Sequence, residues 1–253
     1  MSGPPDTTAL LSRISPDKPL AIILAGHNGS GKSTLWRTRL SGILQIPLIN
    51  ADRLTLSILP ESSSDNPRQL PLWAAALRDN DEKWQKISQS AVESLVREVL
   101  KQSVSFAYET VFSHLRERED GTVESKADRI REFQEAGYSV VLLFVGLTNS
   151  ELSIARVTTR RQQGGHAVPV DKLISRFPRT QKVVRMASEI ADLTLMFDNS
   201  RGEKNAFSLV RAQSPAEVLY DCRRDTPDDK DLIAVSDPWL SIVAPMDAEV
   251  VDN

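Results

Sequence analysis

A continuous apolar run that breaks into glycines, "PLAIILAGHNGSGKST" (residues 19–34), limits the folds open to this chain more than any other stretch. Seven apolar residues without polar alternation suit a strand covered on both faces. The glycines that follow satisfy the pattern Gly26-x-x-x-x-Gly31-Lys32-Ser33. Without a Cβ, such a loop turns its backbone N–H groups inward, where they approach phosphate oxygens. Residues from Ser33 onward are expected to open a helix whose positive end faces the same charge. Gly26, His27, Asn28, Gly29, Ser30, Gly31, Lys32, Ser33 and Thr34 are therefore the candidate nucleotide-binding residues. In this chemistry Lys32 reaches the β- and γ-phosphates of ATP, and the Ser33 hydroxyl ligates Mg²⁺.

Strand and helix patterns alternate from residue 19 to 200. This predicts an α/β fold, a three-layer sandwich of the P-loop kinase type: a mostly parallel sheet with helices on both faces. Short apolar runs at 46–52, 103–110, 138–147, 192–200 and 206–213 supply further strands. The spacing of Trp84, Ile87, Ala91, Leu95, Val96 and Val99 predicts one buried helical face within 81–102. Further helices are expected over 123–137, 150–163 and from Pro169 to about 190. Three parts result: a flexible arm over 1–18, the kinase-like domain over 19–213, and an acidic, irregular C-terminal extension over 214–253. Within the domain, about 150–180 forms an arginine-rich lid.

A net charge of −3 gives no broad attraction for nucleic acid, and no apolar stretch approaches the roughly 20 residues of a membrane helix. A single cysteine among 253 residues excludes an internal disulfide, and the start lacks a signal-peptide pattern. A cytoplasmic location is expected, without nucleic-acid or membrane partners. The chain lacks the Asn-Lys-x-Asp and Asp-x-x-Gly motifs of a switch GTPase and the Leu-Ser-Gly-Gly-Gln signature of a transport ATPase. It does carry acids where the next two strands end, Asp52 in "INADRL" and Glu109 in "FAYETVFS". Ligands of open α/β sheets bind beyond the carboxyl ends of the strands, so both acids face the loop. A carboxylate there can accept the proton of an attacking hydroxyl. Asp52 has a second reading as a helix N-cap, and Glu109 as a solvent-facing acid or a distant support for Mg²⁺.

"IARVTTRRQQGGHAVPVDKLISRFPR" (154–179) holds Arg156, Arg160, Arg161, Arg176, Arg179 and His166 with no acid between Glu151 and Asp171. Arg156 and Arg160 share a helical face and repel, a repulsion that an incoming polyphosphate would relieve. A solvated basic face, or pairing with acids distant in sequence, is the alternative.

Across residues 19–200 these segments together resemble the zeta-toxin family of P-loop kinases: "GHNGSGKST", "INADRL", "FAYETVFS", the block "GYSVVLLFVGLTNSELSIARVTTRRQQGGHAVPVDKLISRF" and "DLTLMFDNS". The resemblance implies transfer of the γ-phosphate of ATP to a hydroxyl of UDP-N-acetylglucosamine, a small helical antitoxin as partner, and Mg²⁺ as cofactor. Carried over by motif, Asp52 is the general base, Lys32 holds phosphate, Ser33 serves Mg²⁺ and Arg156 steadies the transferring phosphate. Glu109 with the turn Thr110–Ser113 is implied to face the substrate; the family's second lid arginine falls near His166 here, which leaves its role to Arg160, Arg161 or Arg176. The turn after the third strand departs from the family: "ETVFS" (109–113) stands where better-known members have Glu-Gly-Thr-Gly-Arg. A different hydroxyl acceptor (a nucleoside, dinucleotide or antibiotic) is thus open, as is a regulatory ATPase that transfers phosphate to no metabolite.

Overall fold

The structure is a computed structural model that describes residues 3–60, 70–163, 165 and 168–246. Its strands are β1 (Leu20–Gly26), β2 (Leu48–Ile49), β3 (Phe106–Glu109), β4 (Leu115–Glu117), β5 (Val123–Ser125), β6 (Ser139–Gly146), β7 (Leu193–Asp198), β8 (Ser208–Gln213) and β9 (Val218–Asp221). Seven of them form one sheet in the order β2-β3-β1-β6-β7-β8-β9. The first five positions run parallel, and β8 and β9 close one edge antiparallel. All eight residues of β6 are buried, as a strand covered by helices on both faces requires. The fold is thus the P-loop kinase-like, mostly parallel sandwich.

This order sets the geometry of the site. β3 inserts between β2 and β1, pairing Glu109 with Leu24 just before the glycine loop. β6 and β7 flank β1 on the other side, so their carboxyl ends, Gly146 and Asp198, meet the loop from there.

Three expectations are corrected. The helix expected over 123–137 begins only at Asp128, because residues 123–125 pair with 115–117 as a hairpin. Asp120 makes that turn by accepting the Thr122 N–H at 2.9 Å, and Gly121 adopts φ 78°. On the helix Glu82–Lys101 the buried face is Ser88, Val92 and Val96, whereas Ile87 and Leu95 are 64% and 47% exposed. On the buried side, Thr55 Oγ1 of the helix Ala51–Ser57 donates to Ser88 Oγ at 2.7 Å.

The largest correction concerns the expected irregular C-terminal extension. Residues 218–221 are β9, and Lys230–Val243 is a helix that buries Leu232, Trp239, Leu240 and Val243. Pro238 lies inside that helix. The burial of its neighbour Trp239 in the core outweighs the lost backbone hydrogen bond. At the other end, Asp6 caps a short helix Thr7–Leu11 whose Leu10 packs into the core.

Candidate nucleotide and phosphoryl-transfer site

The glycine loop connects β1 to the helical turn Lys32–Leu35, which continues through a π-helical turn, Trp36–Leu40. Gly31 sits at the N-cap with φ 95°, in the left-handed region. A Cβ there would come within 2.6 Å of Asn199 Nδ2 and 3.0 Å of the Phe207 ring, so only glycine fits.

Lys32 is buried, and its ammonium donates to the carbonyls of Gly26 at 3.0 Å and His27 at 2.9 Å. Burial pushes its pKa down. The nearby charges of Glu109 and Asp52 oppose that shift, and Arg160 adds to it. The sequence-predicted Lys32, Asp52, Glu109 and Arg160 therefore lie within electrostatic reach of one point. Ser33 Oγ donates to Glu109 Oε1 at 2.7 Å, while the buried Glu109 Oε2 has no partner among the described residues. Asp52 lies exposed in the first turn of the helix Ala51–Ser57. The cap of that helix is Asn50, whose Oδ1 accepts the Arg53 N–H at 2.9 Å, so Asp52 is not engaged as a cap.

Of the predicted arginines, Arg156 and Arg176 are half-buried. Neither has a hydrogen-bond or ion-pair partner among the described residues. Burial lowers the pKa of both; Asp198 offsets this for Arg156, and Arg179 adds to it for Arg176. Arg156 lies over the glycine loop, its Cβ 3.2 Å from where a Gly29 side chain would begin. Two half-buried guanidinium groups without an ion-pair partner among the described residues are candidates for holding an anion. Arg160 is exposed at the end of the helix Ser150–Gln162, where its carbonyl accepts the Gly165 N–H at 2.9 Å. His166 lies outside the described residues.

The turn after β3 is fixed from both sides. Thr110 donates its N–H to Leu24 O at 3.0 Å, and Val111 O accepts the Thr180 hydroxyl at 3.3 Å. Phe112 is buried at φ 64°, and Ser113 beside it is half-buried. Thr180 belongs to the helix Val170–Ser188, which also carries Arg176 and Phe177. Phe177 stacks on His27 at 3.8 Å between ring centroids, and Phe144 of β6 meets His27 edge-on at 5.8 Å. Enclosed this way, the His27 imidazole is held neutral, its pKa lowered to about 3 by burial and then by the Lys32 charge.

Sequence reasoning missed the residues that hold the loop from behind. Asn199 Nδ2 donates to Ser30 O at 2.8 Å, and Ser153 Oγ to Asn28 O at 2.7 Å. Asn199 stood in plain view in "DLTLMFDNS", but only the sheet order brings the end of β7 to the loop.

A family model described as Zeta toxin matches residues 7–207. The chain belongs to the zeta toxin family. A relative in Haemophilus influenzae, an uncharacterized protein, is 30% identical over 151 residues, 60% of this chain and 87% of the relative. Among solved structures, one from the PezAT chromosomal toxin–antitoxin system of Streptococcus pneumoniae superposes with a TM-score of 0.55 at 17% identity. It covers 96% of this chain and 88% of its own. The AvrRxo1-ORF1:-ORF2 structure with ATP gives 0.56 at 16% identity, covering 97% and 69%. At these identities the likeness establishes the shared zeta-toxin fold.

Proposed function

We propose that this zeta-family protein is a kinase that transfers the γ-phosphate of ATP to a hydroxyl of a nucleotide sugar, UDP-N-acetylglucosamine, as the toxin of a toxin–antitoxin pair. The observation that carries the reading is the convergence on the glycine loop of a buried lysine, two carboxylates and Arg156, which has no partner among the described residues. Phosphoryl transfer asks for little beyond positioning and charge neutralisation, and this set supplies both.

In this reading Lys32 exchanges the carbonyls of Gly26 and His27 for phosphate oxygens. Arg156 and Arg176 close over the transferring group as its charge spreads. Asp52, uncommitted to any cap, accepts the proton of the acceptor hydroxyl. The donor chemistry also fits Mg²⁺, with a hydroxyl and an unpartnered carboxylate oxygen adjoining the loop. Mg²⁺ takes few protein ligands and the rest from phosphate and water, so Ser33 and Glu109 would suffice to hold it. When bound it would neutralise phosphate charge. The proposed setting is the cytoplasm, where ATP is at hand. The partner proposed is a small helical antitoxin, a reading supported by the toxin–antitoxin system of the pneumococcal neighbour. Glu109, Thr110 and Ser113 would face the acceptor, with Arg160 and His166 at the lid. The "ETVFS" turn, with Phe112 buried in it, favours a second reading in which the acceptor is another hydroxyl compound.

The test incubates the protein with ATP, Mg²⁺ and a panel of UDP-sugars, nucleosides and dinucleotides, with products identified by mass spectrometry. Phosphorylated UDP-N-acetylglucosamine is expected, with a loss of about 10²–10⁴-fold in rate for Asp52→Ala. Phosphate on another panel member would keep the kinase and replace its substrate. ATP binding with no transfer to any member would point to a regulatory ATPase.

A further inference from the structure

The helix Lys230–Val243 lies beyond the stretch matched to the family, yet it reaches the carboxyl edge of the sheet behind the glycine loop. We propose that this helix braces the phosphate site, with Trp239 as a positioning residue that keeps Asp198 from neutralising Arg156. The proposal rests on the nucleotide-site reading above.

Trp239 is fully buried, and its indole Nε1–H donates to Asp198 Oδ2 at 3.0 Å. Asp198 is also fully buried. Its other donors are the Ser200 hydroxyl, on Oδ2 at 2.9 Å, and the Ser200 N–H, on Oδ1 at 2.9 Å. All three are neutral. Arg156 is close enough for Asp198 to bear on its charge, yet the two form no ion pair among the described residues. A buried carboxylate beside a half-buried guanidinium with no partner among the described residues is drawn to it unless other hydrogen bonds fix its orientation. Trp239, with Ser200, fixes that orientation. Were Oδ2 released, pairing would cancel the positive charge that Arg156 offers to an incoming phosphate.

The same helix holds the neighbouring backbone. Val235 O accepts the Thr148 hydroxyl at 2.8 Å, and the Thr148 N–H donates to Ser200 Oγ at 2.9 Å. Thr148 immediately precedes the cap of the helix Ser150–Gln162, which carries Ser153 and Arg156. Trp239 also meets Phe144 edge-on at 5.3 Å, and Phe144 meets His27. One helix thus secures the acid, the arginine's helix and the wall behind the loop.

The test is ATP affinity by calorimetry on the full chain at 15 °C, in a double-mutant cycle. Trp239→Phe keeps an aromatic ring and removes the donor; it is expected to weaken ATP about tenfold, the low end for losing an outer support of a binding group. In an Arg156→Ala background the same substitution is expected to weaken ATP no further. Adding Asp198→Asn to Trp239→Phe is expected to restore affinity, since no carboxylate is then left to capture Arg156. Leu240→Ala, on the same helix but away from Asp198, is expected to lower Tm while ATP affinity holds. If Trp239→Phe does not fold, Thr148→Val tests the second anchor, with the same dependence on Arg156 expected. Equal losses with and without Arg156 would overturn the proposal, because additivity marks a packing role alone. So would wild-type affinity in Trp239→Phe, or failure of Asp198→Asn to restore it. A wild-type protein that does not bind ATP would remove the nucleotide reading and the brace together.

Discussion

His27 carries the clearest consequence of burial at a single residue. Its pKa is about 6.5 in the unfolded chain and about 3 in the folded protein. Between those values the unfolded chain binds the extra proton, so stability rises with pH. The contribution is complete above pH 6.5 and is lost as pH falls towards 3, at up to about 1.4 kcal/mol per pH unit. Urea denaturation of the wild type and His27→Gln at intervals from pH 6.5 to 4.5 isolates the ring from the carboxylates. The wild type is expected to lose stability relative to the variant across that window. Parallel curves would mean that the stacked ring accepts a proton in the folded state. His27 was readable as a loop residue; its partner Phe177, 150 positions away, was not, because no local pattern records a ring stack between distant elements.

Among elements, the meeting of β6 with the helix Lys230–Val243 turns on the size of one residue. A Cβ on Gly146 would come within 2.4 Å of the Trp239 indole, far inside van der Waals contact. Gly146→Ala is therefore expected to cost about 1–3 kcal/mol through overpacking, seen as a lowered Tm. Substituting Gly202, where a Cβ would meet nothing within 4 Å, is the matched control and is expected to leave Tm nearly unchanged. An unshifted Tm for Gly146→Ala would show that the helix backs away freely. The sequence registered Gly146 only as the end of an apolar run, since the residue it accommodates lies more than ninety positions downstream. The fold class, by contrast, was legible: the apolar runs at 20–26, 139–146 and 193–198 are buried strands whose period needs no tertiary information. Lys32, Ser33, Asp52, Glu109 and Arg156 were legible as candidates because motif chemistry is local. Ser153, Asp198, Asn199 and Trp239 were not, because supports are defined only by what they touch. The expected face of Glu82–Lys101 failed for the same reason. Ile87 and Leu95 satisfied the helical period, but the face that meets the helix Ala51–Ser57, with Ser88 bonded to Thr55, is the buried one.

For the whole molecule, the question is whether residues beyond 207 belong to the folding unit or decorate it. β8 and β9 extend the sheet, and the buried pair Arg211–Asp221 at 2.5 Å ties them to each other. The helix Lys230–Val243 then packs on β6, β7 and β8. Four of its apolar side chains, Leu232, Trp239, Leu240 and Val243, are each no more than 4% exposed. At about 1.5–3 kcal/mol for each large apolar side chain buried, they contribute about as much as the whole net stability of a typical domain, roughly 5–15 kcal/mol. A chain ending at Asp229 is therefore expected to lose cooperative unfolding in urea and its near-ultraviolet circular dichroism, although it retains the entire family-matched stretch. Adding back the missing segment as a separate peptide is expected to restore little, since its helix must then form and dock without the advantage of being tethered. A sharp transition in the truncated chain would instead make the helix an appendage to an independently stable kinase core. The proposed brace could then be tested by its simple removal.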